Sequence, residues 1–95
     1  MERDIILSRL LGKYERSKHM LEPGASSRRV MLRVDKKELP EYQYQEADVR
    51  DGFNRAAEEL AREGLVFIEW VKDRPVLSAV VLNLEAVERC YQSAG

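Results

Sequence analysis

The sequence predicts an α+β fold in a single domain spanning residues 1–95, and three observations carry that prediction. Val49, Phe53, Ala56, Ala57 and Leu60 recur at the i, i+4, i+7, i+8, i+11 spacing of one buried helical stripe. Two runs rich in Val, Ile, Leu, Phe and Trp, Leu65 to Val71 and Val76 to Leu82, follow that helix without a linker and are joined at Lys72-Asp73-Arg74-Pro75, as in a strand pair. A third run, Arg29 to Val34, alternates Val30, Leu32 and Val34 against a face carrying Arg29 and Arg33, the period of a half-buried strand. With a helix before and after them, these give the order α-β-α-α-β-β-α, which is that of a winged helix (winged helix-turn-helix).

Each element has its own local reason. From about Arg3 to Lys18, the residues Ile6, Leu7, Leu10, Leu11 and Tyr14 make one apolar stripe among charged neighbours. Glu22-Pro23-Gly24-Ala25-Ser26-Ser27 stops that helix, because proline lacks a donor and glycine permits turn dihedrals. Lys36 to Gln45 reads as a degenerate second helix: Pro40 allows only a brief turn, and Tyr42 and Tyr44 alternate as if extended. Asp48, or a residue just before it, is the expected cap of the third helix, which runs to about Glu63, and Gly64 stands where a left-handed C-terminal cap belongs. Asn83 is the expected N-cap of a fourth helix that sets Leu84, Val87 and Tyr91 on one face. The expected core includes Leu10, Leu11, Val30, Leu32, Phe53, Ala57, Leu60, Val66, Ile68, Val80 and Leu82.

Composition narrows the function classes. Ninety-five residues suffice for one core but not for a core plus a catalytic domain. Sixteen Lys and Arg against seventeen Asp and Glu give a formal net charge of −1, so any grip on phosphates has to come from local clustering. The single cysteine, Cys90, excludes an intrachain disulfide, and no Cys/His spacing resembles a zinc site. With neither a signal peptide nor a membrane span in the sequence, the expected location is cytoplasmic. No cofactor or metal is expected.

Candidate contact residues fall into two groups. Arg28, Arg29, Arg33, Lys36 and Lys37 form the densest basic stretch and could meet phosphates, or they could keep a short strand soluble and blunt its edge. Arg50, Asn54 and Arg55 lie on the presumed recognition helix, with Lys72 and Arg74 between the last two strands as backbone contacts. Glu46, Asp48, Asp51, Glu58 and Glu59 crowd the same helix, and carboxylates facing phosphates repel. Tyr42, Tyr44 and Trp70 could stack nucleobases, but their apolar neighbours assign them to packing. The acid pairs Glu38/Glu41 and Glu58/Glu59 lack the His or Gly support of a catalytic or metal site and read as charged surface. His19 and Cys90 each stand alone, so no catalytic residue is assigned.

Lys13-Tyr14-Glu15-Arg16-Ser17-Lys18-His19, the start of the first strand at Arg28-Arg29-Val30, Leu39-Pro40-Glu41-Tyr42 and the run from Asn54 to Val66 (NRAAEELAREGLV) together resemble the N-terminal region of the JetD-type subunit of Wadjet plasmid-defence systems. The resemblance covers nearly the whole chain. It implies a longer protein whose C-terminal Toprim-like domain holds acidic metal ligands, cleaves DNA and works with an SMC-type motor complex. None of that catalytic domain is in this sequence. The resemblance further implies an N-terminal winged-helix arm that holds double-stranded DNA, dimerises the nuclease subunit or docks it to the motor. Two functions are therefore expected. One is a non-catalytic domain gripping the DNA backbone through the residues above, with salt-sensitive binding lost on Arg50→Glu or Arg74→Glu. The alternative is a protein-interaction or self-association module without direct DNA binding, with the first and last helices as its surfaces.

Overall fold

The computed structural model describes residues 2–17, 29–44, 46–71 and 76–94. Along the chain these form α1 (Glu2–Ser17), β1 (Arg29–Arg33), α2 (Pro40–Tyr44), α3 (Ala47–Arg62), β2 (Val66–Trp70), β3 (Leu77–Asn83) and α4 (Leu84–Ala94). The expected loop at 22–27 and the connection Lys72–Pro75 lie outside the described residues. The three strands make one antiparallel sheet in the order β1-β3-β2, so the last strand in sequence is the central one. Val30 pairs with Leu82 and Leu32 with Val80, while Val66 and Ile68 meet the same two β3 residues from the other side. The element order and the sheet are compatible with a winged-helix-like arrangement.

Side-chain alternation gives the sheet one apolar face, and the helices cover it because burying their stripes there removes the most apolar area from water. Ile6 and Leu10 of α1, Phe53, Ala57 and Leu60 of α3, and Val30, Leu32, Val66, Val80 and Leu82 of the sheet form one buried cluster. Leu11 and Ile68, both expected inside, are only half-buried at its margin. The α1 stripe centres on Ile6 and Leu10, so Leu11 falls to one side; Ile68 lies on an edge strand with no further strand beyond it among the described residues. Leu84 and Val87 of α4 are buried as expected, whereas the Tyr91 side chain is outside the described set.

The segment 36–44 contributes more to the core than its sequence suggests. Asp35 Oδ1 accepts the amides of Lys37 and Glu38, both at 3.0 Å, and its carbonyl accepts the Leu39 amide at 2.8 Å, which folds the chain into a side-chain-supported turn. Pro40 then opens α2, where its missing donor costs nothing. The turn places Leu39 in the cluster, and the five-residue helix sends Tyr42 into it and leaves Tyr44 outside, so the two tyrosines part by helical geometry and not by strand alternation.

The ends of α3 differ in kind. At the start, Glu46 is the cap residue, with extended backbone and no side-chain capping bond, and its carbonyl accepts the Val49 and Arg50 amides. The expected cap, Asp48, sits inside the first turn, where its charge suits the helix dipole. At the far end Gly64 has φ +77°, as expected, and the amides of Gly64 and Leu65 return to the carbonyls of Ala61 and Leu60 at 3.0 Å each. This is a Schellman closure with its apolar clasp, since Leu60 and Leu65 are both buried. Asn83 ties the closure to α4. Its Oδ1 caps the Ala86 amide at 3.3 Å, its Nδ2 donates to the Gly64 carbonyl at 3.1 Å and its amide to the Leu65 carbonyl at 2.8 Å.

Candidate interaction surfaces

The outward side of α3 carries Asp48, Asp51, Glu58 and Glu59 against Arg50, Arg55 and Arg62, all exposed: four carboxylates to three guanidiniums. Arg3 of α1 reaches this surface, 2.7 Å from Glu63 and 3.8 Å from Glu59. Arg50 and Arg55 make no ion pair among the described residues. Asn54 differs from both, being half-buried with its Oδ1 already accepting a hydrogen bond from the Tyr42 hydroxyl at 3.1 Å. Its amide oxygen therefore belongs to the packing beneath the helix surface.

Tyr42 is the polar node of that packing. Its ring meets Phe53 edge-on, with centroids 6.1 Å apart at 86°, and its hydroxyl accepts the buried Leu77 amide at 3.0 Å. Burial disfavours the phenolate and raises the pKa above the usual 10.0, although the Leu77 hydrogen bond, the Arg50 charge and Asn54 each pull it down. Trp70 is half-buried and packs against the core, as its apolar surroundings predict. Tyr44 does not: with 70% of its surface exposed, it is a correction to the expectation that all three aromatic residues pack.

The acid pair Glu38/Glu41 is consumed by α1. Arg9 donates one nitrogen to the Glu38 carbonyl at 3.1 Å and another to Glu41, and Lys13 Nζ lies 3.1 Å from Glu38 Oε1. These pairs fix the turn before α2 against the first helix. Being part-exposed, each contributes about 0 to 1 kcal/mol, which makes them devices of orientation more than of stability.

The sheet face turned away from the helices presents a different chemistry. Arg29, Met31 and Arg33 alternate outward along β1, and the register carries Met31 across Val81 to Phe67, and Arg33 across Ala79 to Glu69. Met31 is 46% exposed, Phe67 49% and Val71, next outward on the β2 side, 45%. The Arg29 guanidinium lies over the Phe67 ring, 5.0 Å from its centroid. Where β2 runs past the end of α3, Glu58, Ala61, Arg62, Phe67 and Trp70 help line an open groove of about 730 Å³.

The structure thus divides the candidate contacts. Arg50, Asn54 and Arg55 belong to a helix packed on the core side of the sheet, and Arg29 and Arg33 project from the opposite side, so they do not form one continuous basic surface. Arg28, Lys72 and Arg74 lie outside the described residues. Sequence reasoning missed the outer sheet face as a candidate surface, although the alternation in β1 and the apolar identity of Phe67 and Val81 were signals for it. Among the described residues no group of three or more His, Cys, Asp or Glu could hold a metal ion, and no helix is long and apolar enough to cross a membrane. No protein-family model, curated protein or solved structure matches this chain.

Proposed function

We propose that this chain is a non-catalytic, winged-helix-like interaction domain serving a longer DNA-cleaving subunit of the JetD type, and that its direct partner is protein. The observation that carries this reading is the contrast between two surfaces. The helix that would lie on DNA exposes more carboxylates than guanidiniums, whereas the outer sheet face exposes apolar side chains in a continuous row. A duplex carries a dense row of negative charge, and an acidic helix face pays for approaching it. An apolar row flanked by charges suits a protein surface, where water release drives contact and the charges set orientation. Dimerising the nuclease subunit and docking it to an SMC-type motor are both served by such a surface.

A second reading, weak contact with the DNA backbone, is favoured by the exposure of Arg50 and Arg55 on α3 without ion pairs among the described residues. Fluorescence anisotropy of a labelled duplex titrated at low and at physiological salt separates the two. Protein docking predicts no binding at physiological salt. Binding that survives there, falls steeply with added salt and disappears in Arg50→Glu would replace it with the DNA reading.

A further inference from the structure

Three of the four large apolar side chains left exposed among the described residues, Met31, Phe67 and Val71, belong to the outer sheet face; Tyr44 alone lies elsewhere. Exposed apolar residues scattered singly are ordinary, but a row running from Met31 through Val81 to Phe67 crosses all three strands. Charge on this face is segregated. Its β1 side carries Arg29 and Arg33, its β2 side carries Glu69, and β3 between them is uncharged. Arg29 lies over the Phe67 ring of its own chain, whereas Arg33 and Glu69 make neither an ion pair nor a ring contact among the described residues.

We propose that this face associates with a second copy of the chain about a two-fold axis running along β3, an inference that rests on the protein-docking reading above. The axis follows from the charges. A two-fold along the central strand lays β1 of one copy on β2 of the other without shifting position along the strand. Arg33 and Glu69 share one cross-strand row through Ala79, so each Arg33 then faces the partner copy's glutamate at the same level, twice by symmetry. The same operation sets Met31 against Phe67 and Val81 against Val81. A two-fold across the strands would instead lay β1 on β1 and bring guanidinium to guanidinium. Face-to-face sheets accept the first arrangement with the usual angle of about 30° imposed by their twist.

The patch is small. Three strands about 4.8 Å apart and five residues long at about 3.3 Å each cover roughly 14 by 17 Å, well short of the 800 Å² or so that each partner gives a standard interface. Association is therefore weak and concentration-dependent, as suits a surface acting beside other contacts in a larger assembly.

Sedimentation equilibrium of the full chain from about 10 μM to about 1 mM tests this, that being the range in which a small interface assembles. The wild-type chain is expected to shift from monomer toward dimer. Arg33→Glu and Glu69→Arg should each weaken association about tenfold or more, by creating two like-charge contacts per dimer, and the double variant should recover it. Thermal melts of all three, at exposed positions, should stay near wild type, which separates loss of association from loss of fold. A chain monomeric throughout, or a double variant no better than either single one, overturns the proposal. Duplex anisotropy on the same variants keeps the two levels apart. If Arg33→Glu abolishes DNA binding and the double variant does not regain it, the face grips phosphate and the protein-docking reading falls with the proposal. Neither association nor DNA binding overturns the two-copy arrangement alone.

Discussion

The two faces of the three-stranded sheet are built from the same strands, yet they are governed by different physics. On the inner face Val30, Leu32, Val66, Val80 and Leu82 are covered by α1 and α3, and every one is buried. On the outer face Met31, Phe67 and Val71 keep nearly half their surface in water, among Arg29, Arg33 and Glu69. The difference lies in what stands opposite, for the inner residues meet helical stripes whereas the outer residues stay half exposed, Phe67 facing the end of α3 only across an open groove. One face is thus free to specify the fold and the other to specify a partner. Substitutions on the first should be read in stability and on the second in association.

The largest effect should come from the inner side. Phe53→Ala or Leu60→Ala is expected to lower unfolding free energy by about 2 to 5 kcal/mol, measured by urea denaturation, since each leaves a cavity facing the sheet. A loss under about 1 kcal/mol would mean that the site collapses as an exposed one does, and the contrast between the faces would lose its basis. Next comes Tyr42→Phe, expected to cost about 1 to 3 kcal/mol by leaving the buried Leu77 amide without its acceptor. This variant should also change the alkaline profile. The folded-state pKa of Tyr42 is raised above 10.0, so the folded protein keeps the proton longer than the unfolded chain does. The contribution is fully present below 10.0 and is lost as pH rises through the folded value. Denaturation midpoints followed from neutral pH to beyond 10.0 should fall more steeply for wild type than for Tyr42→Phe.

Gly64→Ala should cost about 1 to 2 kcal/mol, because a Cβ is disfavoured at positive φ. No atom lies within 4 Å of the position that Cβ would take, so the penalty is purely one of backbone conformation. The smallest effect belongs to the outer face. Met31→Ser should leave stability within about 0.5 kcal/mol of wild type. A larger loss would show that the outer face contributes to holding the sheet together, which would erase the contrast.

Local signals predicted local features well. The α3 stripe, the left-handed turn at Gly64 and the cap at Asn83 each depend on residues within about one helical turn, and each is where its sequence places it. What failed was long-range. Tyr42 gains its place from Leu77 and Asn54, Glu38 and Glu41 gain theirs from Lys13 and Arg9, and no periodicity encodes such partners. The start of α3 falls at Glu46, just before Asp48 as the sequence also allowed, but Glu46 makes no capping bond, so cap preference gave way to the path of the chain leaving α2. Of the candidate contacts, the outward placement of Arg29 and Arg33 was legible from strand alternation. That α3 packs behind them was not, because a pattern fixes which side of an element is apolar but not which neighbour covers it.

The position of β3 has a consequence for synthesis. Among the described residues both edge strands pair only with it, and it comes after them in the chain: Val30 has no strand partner there until Leu82 has been made, and Val66 waits for the same residue. As the chain leaves the ribosome, α1 and α3 can coil from their own sequence, while the backbone groups of β1 and β2 stay unpaired with their apolar side chains waiting. Sheet assembly is then a late, concerted event in which one strand zips two others at once, and the nascent chain is most exposed to aggregation just before residues 77–83 emerge.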